Sequence, residues 1–165
     1  LGNAMLEVSL SGFGKARVWS RECPVDPVKP YNGIALEVSI PRGGMCAYGL
    51  LGASAGLHHS GPGCEVVAPA SGRRWHGSLV ERIDEVRVGL PAELVAPVQR
   101  AGAAEAERTG LETTILYDCA AHGLVGSNEW VFGRLAIALV RVTADRSLLE
   151  DELRLRGLLE ELEAR

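Results

Sequence analysis

The strictest pattern in the chain has a period of two residues. Ile34, Leu36, Val38 and Ile40 are apolar, with Ala35, Glu37 and Ser39 between them. Alternate side chains of a strand point to opposite sides, so 34–40 predicts a strand with one face turned to a core. A lone strand has no partner for its backbone N–H and C=O groups, so this one requires a sheet. The same period appears in Leu6, Val8 and Leu10, and Ser11-Gly12 follows as a turn. A second strand is expected through Lys15 to Trp19. Cys23 to Gly33 then holds Pro24, Pro27, Pro30 and an Asn-Gly pair, which predicts a long, stiff loop.

The middle of the chain reads less clearly. Residues 41–63 carry seven glycines, and a helix of small residues over 45–58 is the expectation despite their helix cost. Cys64 to Ala68 suits a short strand, and Leu79 to Val88 a half-exposed one. Pro91 then opens a helix, where its missing N–H costs nothing. Leu94, Val95, Val98, Ala101 and Ala104 would form its apolar face. Pro97 disturbs its start, and Gly110 closes it. Leu111 to Cys119 reads as a strand and His122 as part of the glycine-bearing loop after it. Ser127 is the expected N-cap of a helix that buries Trp130, Leu135, Leu139 and Val142. A last helix starts at Asp145 or Ser147, with Ser147 and Glu150 as a capping box. Leu148, Leu155, Leu158, Leu159 and Leu162 lie on one side of it. Strands followed by a helix–strand–helix unit predict an α+β fold: a mainly antiparallel sheet of four to five strands with helices on one face.

The chain has 165 residues, 47% hydrophobic and 5% aromatic, enough for one domain whose core is mainly aliphatic. Leu1 to Ala4, ahead of Met5, reads as a cloning remnant. Residues 5–145 are the expected domain, with 41–78 as an insertion and 146–165 as a C-terminal amphipathic helix. A net charge of −4 argues against bulk adhesion to nucleic acid or anionic membrane, though not against a local basic patch. No apolar run is long enough to span a bilayer, and no signal peptide is apparent. A cytoplasmic protein with no membrane partner is therefore expected. Cys23, Cys46, Cys64 and Cys119 are widely spaced, with no C-x-x-C, which predicts reduced, mostly buried thiols and no structural metal.

Several groupings invite chemistry. Gly49 to Gly56, "GLLGASAG", faintly resembles the phosphate-cradling turn of the GHMP small-molecule kinases. Small residues that allow close helix packing are the expected explanation, and the chain is about half the length of those enzymes. His58, His59 and Cys64 are weighed as metal ligands against a polar loop. Adjacent helical histidines diverge by roughly 100°, so they rarely share a metal. Arg73, Arg74 and His76, beside Trp75, could frame an anion pocket or form a solvated loop. Asp118, His122, Ser127 and Glu129 suggest a hydrolase, but a triad is a matter of geometry, and Ser127 is expected to be a cap. No nucleotide-hydrolysis motif occurs, so no cofactor is expected, and binding rather than catalysis is the first expectation.

Pro91-Ala92-Glu93-Leu94-Val95-Ala96-Pro97-Val98-Gln99, followed by a strand, His122, Ser127, Glu129 and Phe132 on a helix, resembles domain IV of elongation factor G and the tetracycline ribosomal-protection proteins. The family's Pro-Ala pair stands inverted here as Ala96-Pro97. The likeness covers about 83–142, is loose over 5–40 and lapses over 41–78. It implies a left-handed βαβ crossover and a tip at one end of the sheet formed by loops 21–33 and 119–127. Arg21, Lys29, Tyr31, Asn32, His122 and Ser127 would there contact the ribosome or structured RNA. This first tip loop is Pro-rich where the family's is rich in Gly, Arg and Gln, and no GTPase motif accompanies it. Two functions follow: a non-catalytic ribosome- or RNA-binding module, or a ligand-binding protein or enzyme that takes a phosphate-bearing small molecule at the glycine-rich segment 41–63. The C-terminal helix is a possible homodimer contact.

Overall fold

In the computed structural model, residues 5–56 and 63–164 are described. The strands are β1 (Met5–Ser9), β2 (Lys15–Ser20), β3 (Ile34–Arg42), β4 (Met45–Ala55), β5 (Gly63–Val66), β6 (Val86–Val88) and β7 (Thr114–Gly123). The helices are α1 (Ala92–Thr109), α2 (Glu129–Ala144) and α3 (Glu152–Ala164), with a 3-10 turn over Arg146–Glu150 before α3. The class is α+β, as expected, but the described residues form seven strands rather than four or five.

β1, β2, β3, β4 and β7 lie side by side, each antiparallel to the next. The far edge of β7 is shared. Ile115 pairs with Ala55 on one side and Cys64 of β5 on the other, and Ala121 pairs with both Leu50 and Val88 of β6. β7 therefore runs parallel to β5 over its first half and antiparallel to β6 over its end. The chain from β5 through α1 to β7 is a parallel βαβ crossover, which explains why a helix intervenes.

The helix expected over 45–58 is a strand up to Ala55, a correction with a clear cause. β4 is central and buried on both faces, so it lacks the polar alternation of a half-exposed strand. Gly49 faces the helices, where a Cβ would come 2.9 Å from Leu135 Cδ1 and 3.1 Å from Phe132. Gly52 faces the other way, against Cys119 and Tyr31. The stretch set apart as an insertion thus supplies a central strand. Over 79–88 only Val86–Val88 is strand, and turns precede it.

The sheet separates two cores. Ile34, Leu36, Val38, Leu51, Ile115 and Tyr117 pack with Leu94, Val98, Phe132, Leu135 and Leu139 under the helices. On the opposite face Trp19, Ala35, Tyr48, Leu50 and Ala121 are roofed by Cys23, Val25 and Val80, which come from loops. Glu37 is fully buried on that face. Its carboxylate accepts from Arg17 Nε at 2.6 Å, Tyr48 Oη at 2.6 Å and the Leu79 amide at 3.1 Å. Burial pushes the Glu37 carboxyl above its usual range, and the Tyr48, Arg17 and Leu79 donors oppose that shift.

Cys23 and Cys119 form a disulfide, Cα–Cα 6.0 Å, that ties loop 21–33 to β7. This corrects the expectation of reduced thiols for that pair. The two are 96 residues apart, and only the fold brings them together. Cys46 and Cys64 are free.

α1 buries Leu94, Val98, Gly102, Glu105 and Ala106, so Glu105 takes the inward place expected for Ala104. It accepts from Arg108 on the same helix and from Arg141 Nε of α2 at 2.7 Å, pinning the two helices together. The N-cap of α2 is Asn128, whose Oδ1 accepts from the Val131 amide at 3.1 Å; Ser127 is not the cap. Trp130, expected in the core, is half-buried between the guanidinium groups of Arg42 and Arg134, at 3.8 and 4.0 Å. The last helix does not start at Asp145 or Ser147. Asp145 caps the 3-10 turn, and Asp151 accepts from the Leu153 and Arg154 amides to start α3. Leu155, Leu158, Leu159 and Leu162 are buried within this chain, and Leu153 is exposed. Among the described residues no helix is long and apolar enough to cross a membrane.

Candidate functional site

β7 contains one residue more than β4 opposite it. Gly52 pairs with Cys119 and Ala53 with Tyr117, which leaves Asp118 as a bulge. The extra residue reverses the alternation. Ile115 and Tyr117 face the helices before it, and Ala120 does so after it. Asp118 is aimed at the loop-covered face. There its Oδ1 accepts from Tyr31 Oη at 2.7 Å and its Oδ2 from Ser54 Oγ at 2.5 Å. Burial, and then the adjacent Asp118 carboxylate, push the Tyr31 phenol far above its ordinary range. Tyr31 reaches Asp118 because Gly52 lies beneath it: a Cβ there would stand 2.9 Å from the phenol oxygen.

A cleft of about 260 Å³ opens beside this bulge, where β7 changes partner from β5 to β6. Past the carboxyl end of β5 the neighbouring backbone diverges, a place where sheets with parallel strands often hold ligands. The Val67 amide donates to Tyr117 O at 2.9 Å and the Gly89 amide to Ala120 O at 2.7 Å, so the two flanking segments bracket Asp118 and Cys119. Gly89 has φ +97°, and a Cβ there would fall 2.2 Å from Pro69 O. Only glycine permits that approach. Asp26, Lys29, Tyr31, Arg73 and Asp118 line the cleft with Val25, Val67, Ala68, Val88 and the disulfide.

The expected tip residues do not share one end of the sheet. Loop 21–33 leaves β2 and returns to β3 where Ser20 pairs with Ile34, level with Ala53 and Tyr117. Residues 124–127 follow Gly123, roughly 20 Å further along β7 at strand spacing. Arg21, at φ 61°, donates its amide to Gly33 O and closes the neck of the loop. Lys29 and Tyr31 line the cleft, and Asn32 is exposed.

His122 is not in a loop but in β7, paired with Arg87. Its Nδ1 donates to Gly89 O at 2.7 Å. It lines a separate hollow of about 380 Å³ with Pro91, Leu94 and Asn128, at the starts of α1 and α2. Ser127 Oγ accepts from the Gly123 amide at 2.9 Å and donates to Tyr48 O at 2.6 Å, so it staples the β7–α2 turn to β4. Asp118, His122 and Ser127 therefore serve three different partners, and no relay joins them.

Arg73, Arg74 and His76 do not form one anion pocket. Arg73 Nη2 donates to Val25 O at 2.5 Å beside the cleft. Arg74 pairs with Glu85 at 3.6 Å and His76 with Glu81 at 3.0 Å, both near the surface. In the described part of the glycine-rich segment no helix begins, so "GLLGASAG" presents no helix N-terminus to a phosphate. His58 and His59 lie outside the described residues. Among those described, no group of three or more His, Cys, Asp or Glu side chains could hold a metal. A bulge leaves no composition signal for the role of Asp118; its trace is Gly33 and Gly52, where a Cβ would stand 2.5 and 2.9 Å from the Tyr31 phenol oxygen.

No family model, curated protein or solved structure matches the chain.

Proposed function

We propose that this protein is a non-catalytic binding domain of the elongation factor G domain IV type, acting on the ribosome or on structured RNA. The observation that carries the reading is where the resemblance falls. Its proline-led segment starts α1, its strand is β7, and its Ser-x-Glu segment leads into α2, so one contiguous unit holds it. The two helices on one face and the parallel β5–α1–β7 connection support the same reading. In it the crossover is left-handed. The contact surface is the end of the sheet that carries His122 and the 124–127 turn, and Arg21, Lys29 and Asn32 make a second patch. Binding is local and salt-sensitive, since the chain as a whole is acidic.

Co-sedimentation of the full chain with ribosomes at low and moderate salt is the test. Association is expected at low salt and weakened at moderate salt. His122→Ala and a Leu124→Ser, Val125→Ser double variant should reduce it. Folded protein that stays in the supernatant at both salt concentrations refutes the reading.

A further inference from the structure

We propose that the cleft beside the Asp118 bulge binds a small zwitterion of amino-acid size, a molecule carrying both an ammonium and a carboxylate. The inference goes beyond ribosome or RNA binding and shares only Lys29 with that reading. Four charged side chains line the cleft, from three separate segments: Asp26 and Lys29 from the 21–33 loop, Arg73 from the segment before β6, and Asp118 from β7. No ion pair joins any of them to another or to any other described residue. Residues of both formal charges thus line one cavity without an ion pair among them.

A simple anion entering there meets Asp26 and Asp118, and a simple cation meets Lys29 and Arg73. A ligand with both charges satisfies both sets, and complementarity of this kind selects it over either alone. The geometry is prepared in advance. Tyr31 and Ser54 each donate to one oxygen of Asp118, which fixes the carboxylate and leaves it lone pairs for an ammonium. The bond to Val25 O holds the Arg73 guanidinium while its other N–H groups remain to grip a carboxylate. Val25, Val67 and Val88 offer an apolar wall to a side chain, and a cleft of about 260 Å³ suits a ligand of this size.

The test is calorimetric titration of the intact, oxidised chain with each standard L-amino acid. N-acetyl and amide forms of any that binds supply the blocked ligands. At least one free amino acid should bind saturably, and either blocked form should bind at least about tenfold more weakly. Lys29→Gln and Arg73→Gln should weaken the free ligand by a similar factor, and so should Asp26→Asn and Asp118→Asn. Asp118→Asn risks the fold, but Lys29 and Asp26 are loop positions and report without that risk. No saturable binding up to about 10 mM overturns the proposal. So does equal binding of free and blocked forms, or binding indifferent to the loop variants.

Discussion

All three tyrosines of the chain are held by partners that oppose their ionisation. Burial raises the Tyr31, Tyr48 and Tyr117 phenols above their ordinary range, and the carboxylates of Asp118 and Glu37 add to it for the first two. A group whose folded pKa is raised contributes stability that is complete below its unfolded pKa, near 10, and is lost as pH climbs towards the folded value. No tyrosinate absorbance is therefore expected at about pH 11 in folded protein, and its onset should coincide with loss of the far-ultraviolet helix signal. Tyrosinate appearing while the fold persists contradicts the burial. A second residue-scale test concerns Gly89. Gly89→Ala should cost about 2–3 kcal/mol in urea unfolding, because the added Cβ meets Pro69 O and the backbone stays left-handed. A loss below about 0.5 kcal/mol would mean the two segments part easily.

At the scale of elements, Glu105 joins α1 to α2. The Arg108 hydrogen bond, and then Arg141, hold its carboxyl below the usual range. Its stabilising contribution is present above the unfolded pKa and fades as pH falls through the folded one. Glu105→Gln should cost about 1–3 kcal/mol at pH 7 and less under acid, measured by urea midpoints across that range. α3 behaves as a lid on the helix-side core. A chain ending at Asp145 uncovers Leu10, Val38, Ile40 and Leu135, which line the seam with Leu159 and Leu162. It should unfold at several kcal/mol less than the full chain while light scattering of the full chain reports a monomer. A stable truncated monomer beside a dimeric full chain would instead make the helix an intermolecular contact. Where periodicity was clean, as in β1, β3, α1 and the leucines of α3, the elements were legible in the sequence. β4 was not, because a strand buried on both faces has no polar side to alternate. His122 reads as a loop residue because Gly123 follows it, yet Gly123 is the last residue of β7. Lys29, Tyr31 and Arg73 were visible as separate candidates. Their meeting around Asp118 depends on a bulge and a disulfide, which are long-range facts.

For the molecule as a whole, the loop-covered face is fastened by a single covalent bond. Reduction, or Cys23→Ser with Cys119→Ser, should lower unfolding stability by about 2–5 kcal/mol, as expected for a closure this long. The same change should loosen the loop over the cleft before it disturbs the helices, and hydrogen exchange at Tyr48 and Leu50 against Leu135 and Leu139 reads the difference. Equal protection losses on both faces would show the two cores to be one cooperative unit.

The Cys23–Cys119 bond also makes the chain a closed ring with two tails. β3, β4, β5, β6, α1 and the first half of β7 lie inside the ring, while β1 and β2 form one tail and α2 and α3 the other. A protease cut anywhere between the two cysteines opens the ring without releasing a fragment. A nicked molecule should therefore run as one species without reductant and as two with it, whereas a cut in either tail separates at once. That contrast locates cleavage by gel alone, and makes the middle of this protein tolerant of breaks that its ends are not.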